Sequence, residues 1–274
     1  MHNLEKTYGI TNFQSSTTQK IQEHIHNLNT LGFSIEENFL DGSLLETLRN
    51  GLDRIYLEQE RFFSRQTLEQ INELDMCRAP LLYDQNFLFL ATHPFLIDVV
   101  ENAIQNKAIL HLQNGIINRP NTNHHQQSWH RDLPYQNFVS SKPISISALV
   151  TLDPFTIQTG ATQVAVGTHK QEINRLEDLD KFETISAVAK AGSVLFFDSM
   201  LYHRAGINTS NITRRAINHV YTSPILKQQY NFPIVIEQKT LTDNQKRILG
   251  FDFETPTDDK AWRIKKLTKL QSQK

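Results

Sequence analysis

Apolar positions recur at helical spacing through roughly the first hundred residues and at strand spacing through the next hundred, and this change of period divides the chain. In the front part, Ser16 with Gln19 three residues on reads as a capping box. Ile21, Ile25 and Leu28 then form a stripe that Gly32 ends, and Phe33 and Ile35 suggest a short strand. Asp41 reads as the next N-cap, ahead of a stripe of Leu44, Leu45, Leu48, Leu52, Ile55 and Tyr56 on a helix reaching Glu58. The polar stretch from Gln59 to Glu73 fits a short helix or a loop. A third helix begins at Thr92-His93-Pro94, with Leu96, Val99, Val100, Ala103 and Ile104 on one face. None of these helices carries evident chemistry, so they are read as scaffold.

From Lys107 the pattern is that of strands. Ala108 to Gln113 and Ile116-Ile117 flank Asn114-Gly115, a strong turn dipeptide, and predict a hairpin. Ile144, Ile146, Ala148, Val150 and Leu152 alternate with Ser145, Ser147 and Thr151, as in a half-buried strand. Val194 to Phe197 reads as a strand buried on both faces, and Arg214 to Thr222 as the last clear strand. Short strands with turns between them and no interleaved helices argue for a sandwich or barrel. The expected organisation is one domain over 1–274, with a mostly helical front (1–106), a strand-rich core (107–223) and a C-terminal extension (224–274). Within that extension Trp262, Ile264 and Leu267 are candidate packing residues, and Lys265, Lys266 and Lys269 read as a solvated helix face.

Composition narrows the function. A hydrophobic fraction of 39% over 274 residues supports a sizeable core. Lys and Arg number 28 against 29 Asp and Glu, so no broad cationic surface awaits a phosphate backbone, and nucleic acid is not an expected partner. One cysteine, Cys77, rules out an internal disulfide framework and a thiolate-rich zinc site, and reads as a buried free thiol. There is no secretory leader pattern and no run approaching the ~20 apolar residues of a membrane span, so a cytoplasmic protein without a membrane partner is expected. The glycosylation-type tripeptides at Asn208 and Asn211 therefore carry no weight.

The candidate chemistry centres on Ser128 to Tyr135, where His130 and Asp132 stand two apart. On an extended strand both side chains point the same way, so an imidazole and a carboxylate can meet one ion. His-x-Asp alone is a weak signal among 11 histidines. His203 raises it, because it follows the buried strand ending at Phe197-Asp198, where a sheet gives way to a loop. Two histidines and one carboxylate leave about three positions of an octahedral ion open, the facial arrangement of non-haem iron(II) oxygenases. Zinc hydrolysis uses a similar donor set, but no accompanying zinc-protease spacing is present. A bound 2-oxoacid would need a cation for its far carboxylate, and Arg214 and Arg215 open the strand after His203. Adjacent strand residues face opposite ways, and both faces are mixed, so periodicity does not choose between the two arginines.

As a group these residues resemble the phytanoyl-CoA dioxygenase family of Fe(II)/2-oxoglutarate-dependent oxygenases. The resemblance covers roughly Gln113 to Tyr221 and lies in the order of its parts: Gln127-Ser-Trp-His-Arg-Asp-Leu, Thr159-Gly-Ala-Thr through His169, Gly192-Ser-Val-Leu-Phe-Phe-Asp, His203-Arg-Ala-Gly-Ile-Asn-Thr-Ser and Arg214-Arg-Ala-Ile-Asn. It implies a mainly β fold with flanking helices, a double-stranded β-helix or cupin-like jelly-roll barrel, with iron on His130, Asp132 and His203. It also implies Arg214 as the anchor of 2-oxoglutarate, assisted by Gln127 and Thr162. Val166-Gly-Thr-His169 departs from the family's usual turn, and Ala205 replaces a serine found in some members, so Thr162 or Thr151 would serve in its place. His169 is read as structural. A carboxylate at Asp132 disfavours halogenation, for which related enzymes carry a small residue there. The implied function is a hydroxylase that uses iron(II), 2-oxoglutarate and dioxygen on an aliphatic carbon of a small-molecule substrate, releasing succinate and carbon dioxide. Epimerisation or desaturation is the alternative within enzymes, and a silent ligand-binding β-barrel is the alternative outside them. Arg131, Tyr135 and Gln113 are the candidate substrate contacts.

Overall fold

The computed structural model describes residues 17–122, 124–133, 137 and 139–271, and it divides into two compact units, one ending at Tyr230 and one beginning at Asn231. The first unit opens with α1 (Gln19–Thr30), β1 (Phe33–Glu36), α2 (Gly42–Phe63), α3 (Arg65–Gln70), β2 (Met76–Arg78), α4 (Gln85–Ala91) and α5 (Pro94–Ile104). It continues through β3 (Ile109–Asn118), β4 (Ser145–Thr151), β5 (Gln163–Ala165), β6 (Thr184–Ser186), β7 (Val194–Asp198), β8 (His203–Arg204) and β9 (Arg214–Thr222). The second unit holds α6 (Phe232–Val235), α7 (Asp243–Ile248) and α8 (Asp259–Gln271). On α8 Trp262, Ile264 and Leu267 are exposed, so the packing role read for them from spacing is not realised.

The strands form two antiparallel sheets, a six-stranded one in the order β1-β7-β4-β9-β3-β2 and a three-stranded one in the order β6-β5-β8. A single bridge between His130 and His203 extends the smaller sheet by one more piece of chain. Leu149, Leu195, Phe197 and Ala216 of the large sheet pack with Val164 of the smaller one and with Ala161 and Ala187 beside its strands, and this apolar layer joins the two sheets. The architecture is therefore the expected antiparallel jelly-roll class with flanking helices.

Helices cover the other face of the large sheet, and period-2 alternation decides which residue sees which side. In β7, Phe196 meets the ring of His24 on α1 at 5.5 Å, whereas its neighbour Phe197 faces inward and lies 4.5 Å from the ring of His203. In β9, Arg214, Ala216 and Asn218 share the inner face, while the outward Tyr221 donates to the carbonyl of Ala91 on α4 at 2.8 Å. Asp41 caps α2 by accepting from the amide of Leu44 at 2.9 Å, as expected, and the helix runs on to Phe63. The cap of α1 is Thr18, which accepts from Ile21 at 3.3 Å, and Ser16 lies outside the described residues.

Three sequence expectations are corrected. Asn114-Gly115 is no turn: β3 runs unbroken from Ile109 to Asn118, and Gly115 pairs with Cys77 on one side and Ile217 on the other. Glycine is needed there because a Cβ would collide with Leu52 Cδ1 of α2 and approach Cys77 Cβ to 3.1 Å. The alternating strand β4 is buried along its whole length, so Ser145, Ser147 and Thr151 face protein instead of solvent. The span Gln85–Ile104, with a mean hydropathy of 1.4, is long and apolar enough to cross a membrane by composition. It consists of two helices separated at Thr92-His93, and 67% of its most apolar stretch is buried inside the fold, as in a core helix. Cys77 is buried as expected, which pushes its thiol up to about 12.

Gly115→Val tests the helix contact. Overpacking there is expected to cost about 1–3 kcal/mol. Thermal unfolding should fall by several degrees, and an unchanged midpoint would mean that α2 does not sit against β3 as described.

Candidate active site

His130, Asp132 and His203 come together as the spacing suggested. One ligand atom from each lies within 4.8 Å of the others. Two backbone hydrogen bonds of 3.0 Å tie His130 to His203 across the bridge, and the amide of Asp132 donates to Ser199 at 3.0 Å. The side chains are thus mounted on paired backbone and not on a free loop.

Hydrogen bonds also settle the imidazole tautomers. Nδ1 of His130 lies 2.8 Å from the Ser128 carbonyl, and Nδ1 of His203 lies 3.0 Å from the Leu201 carbonyl. A carbonyl only accepts, so each Nδ1 carries a proton, which leaves Nε2 as the nitrogen that would present a lone pair to an ion. The Nε2 of His130 is buried and has no hydrogen-bond partner among the described residues. Burial, reinforced by His203, pulls His130 down to about 4, which keeps it neutral. His203 moves the other way: burial opposes its charged form, but Asp132, with Oδ1 at 3.5 Å, outweighs that and raises it. Burial opposes ionisation of Asp132 too, yet His203 and the hydroxyl of Ser147 hold its carboxyl well below the usual range. Asn218 donates to the same oxygen, Oδ2, at 3.3 Å. One imidazole kept neutral, a second whose Nε2 proton a bound ion would displace, and one ionised carboxylate converging on one point fit a divalent ion of the iron type.

Ser147 and Asn218 are additions that sequence reading missed. The signal was present, since Ser147 is a polar residue on a strand of apolar neighbours, but the same alternation describes a solvent face equally well.

Beside the triad lies a narrow pocket that includes Thr162, Leu149, Phe197, Ala205, Asn218 and Arg214. Arg214 is 1% exposed, stacks over the ring of Phe155 at 4.3 Å, and has no hydrogen-bond partner on Nε or Nη2 among the described residues. Burial pulls its guanidinium down to about 10 despite the nearby Asp153. Arg215 turns outward, with its Nε 2.8 Å from Asp53 and its Nη1 3.1 Å from Asp153. The chain leading into β5 and the chain leaving β8 approach closely at the pocket rim: Gly160 has φ +76 and sits against the carbonyl of Gly206, and a Cβ on Gly206 would lie 2.8 Å from the Ala161 carbonyl. The Thr159-Gly-Ala-Thr and His203-Arg-Ala-Gly motifs therefore meet backbone to backbone, which only glycine permits.

Other expected residues lie elsewhere or are otherwise engaged. Gln127 turns away and donates to the Thr122 carbonyl at 3.1 Å, because it ends a 3-10 turn whose preceding residue, Gln126, faces the triad instead. Thr151 donates to the Lys190 carbonyl at 2.7 Å and is structural. Gln113 faces α4, where it donates to Phe87 at 2.8 Å, accepts from the Leu81 amide at 2.8 Å and meets His219 at 3.0 Å. Arg131 borders the cavity in front of the triad, but its guanidinium bonds the Thr168 and Gln171 carbonyls at 3.0 and 2.8 Å and lies 4.4 Å over the Tyr202 ring. It fastens the departed turn, which Thr168 also braces by donating to Ala165 at 2.8 Å. His169 is buried against Gly32 on the far side of that turn, as a structural residue would be. Tyr135 lies outside the described residues.

A family model described as phytanoyl-CoA dioxygenase matches residues 28–216. The chain belongs to the phytanoyl-CoA dioxygenase family. It is accordingly a dioxygenase of the class that uses iron(II), 2-oxoglutarate and dioxygen. It is 32% identical over 265 residues to an uncharacterised protein of Mycobacterium tuberculosis, covering 86% of this chain and 92% of that one. An iron/alpha-ketoglutarate-dependent dioxygenase, ausO of Aspergillus calidoustus, is 27% identical over 146 residues, 49% of each chain. Among solved structures, the carbocyclase SnoK from nogalamycin biosynthesis aligns with TM-score 0.58 and 16% identity over 79% of this chain and 87% of that one. The epimerase SnoN from the same biosynthesis aligns with TM-score 0.56 and 16% identity over 75% and 83%. At this identity these two structures bear on the fold alone.

Proposed function

We propose that this chain hydroxylates an aliphatic carbon of a small-molecule substrate, with iron(II) held by His130, Asp132 and His203 and 2-oxoglutarate anchored by Arg214. The observation that carries the proposal is Arg214, buried in the same narrow pocket as both histidines with its Nε and Nη2 unbonded among the described residues. A fully buried cation with donors left unbonded is costly, and the far carboxylate of a chelated 2-oxoacid supplies the acceptors. Bound iron would provide the coordination positions for 2-oxoglutarate and dioxygen and the oxidising power for breaking a C–H bond.

The protein's own part is orientation and exclusion of water. Ser128 and Leu201 hold both imidazoles with Nε2 forward. Ser147 and Asn218 fix the Oδ2 atom of Asp132, leaving Oδ1 on the His203 side. Phe155, Phe197 and Leu149 provide apolar walls that keep the guanidinium and the carboxylate it binds away from bulk solvent. Arg131 secures the neighbouring turn and makes no direct contribution to chemistry. Thr162, 4% exposed, is the hydroxyl that stands where Ala205 offers none.

Hydroxylation consumes one dioxygen and one 2-oxoglutarate and yields one succinate, one carbon dioxide and a product with one added oxygen. The test is a turnover screen across small-molecule classes read by succinate release and product mass. Succinate release coupled to a gain of one oxygen is expected. Coupled release with an unchanged mass or a loss of two hydrogens would replace hydroxylation by epimerisation or desaturation.

A further inference from the structure

The strand β3 slips in register against β9 between Leu110 and Leu112, so two residues on β3 oppose one on β9. Such a bulge re-aims a side chain. Further along β3, Gln113 and Gly115 face the helices, and Asn114 and Ile116 face the cavity in front of the triad. Strict alternation would send His111 to the helix side with Gln113. The bulge instead brings it into the wall of that cavity, beside Asn114. Its carbonyl accepts from the Gln229 amide at 3.2 Å, and the Leu110 carbonyl accepts from Gln228 Nε2 at 2.7 Å, so the irregularity is pinned in place.

His111 is 5% and Asn114 6% exposed, and His111 Nδ1, Asn114 Oδ1 and Asn218 Oδ1 are buried without hydrogen-bond partners among the described residues. Of the cations lining the cavity, Arg78 pairs with Glu73, the guanidinium of Arg131 bonds the turn carbonyls, and Lys227 is exposed to solvent. What the cavity of about 420 Å³ offers a ligand next to the triad is thus uncharged imidazole and amide, the side chains that suit hydroxyls, which both donate and accept. An acyl chain would leave each of these polar atoms unpaired, at roughly tenfold or more in affinity apiece. A carboxylate would call for a buried cation beside the triad, whereas the cavity's remaining cation, Lys227, is exposed.

We infer that the substrate is a small polyhydroxylated molecule of the sugar or cyclitol class, and that His111 and Asn114 bind two of its hydroxyls and so determine which carbon faces the metal. The inference rests on the catalytic reading given above. Its test uses the full chain loaded with zinc(II) and 2-oxoglutarate, which does not turn over, and ligand-observed NMR with a panel of monosaccharides and cyclitols beside size-matched amino acids and fatty acyl chains. Binding is expected among the polyhydroxylated compounds, weakened at least tenfold in His111→Phe and in Asn114→Leu and partly restored in His111→Gln, with 2-oxoglutarate affinity retained in all three. Circular dichroism confirms that each variant is folded. Binding confined to amino acids or acyl chains, no binding of any polyhydroxylated compound, or unchanged affinity in both folded variants would overturn the inference. If the parent protein binds sugars but not 2-oxoglutarate, the catalytic reading fails and the subsite stands.

Discussion

Asp132→Ala is expected to reduce reconstituted iron from about one per chain to background. Asp132 is the anionic member of the triad, and its carboxyl is kept ionised against burial by His203 and Ser147. Loss of a group that merely orients a ligand costs about 10- to 100-fold in metal affinity, so loss of the ligand itself should exceed about 100-fold. The fold should survive, because among the described residues the Asp132 side chain bonds only Ser147, Asn218 and His203, and its backbone bond to Ser199 is untouched. Iron content after anaerobic reconstitution, measured beside metal-free thermal unfolding, separates these effects. Full iron occupancy in a folded Asp132→Ala protein would remove Asp132 from the ligand set.

The second large effect concerns the two arginines. Arg214→Leu should weaken 2-oxoglutarate binding by about 100-fold or more, since deleting one partner of a buried charge pair costs on the order of 2–5 kcal/mol. Iron binding should be retained, because Arg214 is not among the converging ligand atoms. Arg215→Ala should leave 2-oxoglutarate affinity unchanged and lower stability only slightly, because its ion pairs with Asp53 and Asp153 are partly exposed and such pairs contribute little. Calorimetric titration of 2-oxoglutarate into the three iron-loaded proteins reads this directly. Equal losses in both variants would mean that the two arginines act through the strand and not through the pocket.

What the sequence disclosed depended on whether a residue's neighbours constrained its direction. His130, Asp132 and His203 were legible because two fall at strand spacing and the third follows an apolar run long enough to be recognised. The choice of Arg214 over Arg215 was not legible from periodicity, since both faces of β9 mix polar and apolar residues, and both faces prove to be buried. Ser147 looked like a solvent position because a polar face turned towards a metal centre has the same period as one turned towards water. Gly115 imitated a hairpin because its real constraint, Leu52 on α2, lies far away in the chain. Gln127 and Gln113 were misplaced by one step each, and a single residue on a strand or a 3-10 turn exchanges cavity for core. His111 depends on a bulge, a register feature that no local pattern announces.

The central claim is that His130, Asp132 and His203 hold iron(II) with space beside it for 2-oxoglutarate anchored on Arg214. Anaerobic visible absorption, recorded as 2-oxoglutarate is titrated into the iron(II)-loaded protein, tests it most directly. A weak broad charge-transfer band is expected that saturates at one equivalent, is absent in Asp132→Ala and needs far more 2-oxoglutarate in Arg214→Leu. A parent protein that binds iron without developing the band, or a band that persists unchanged in both variants, would contradict it.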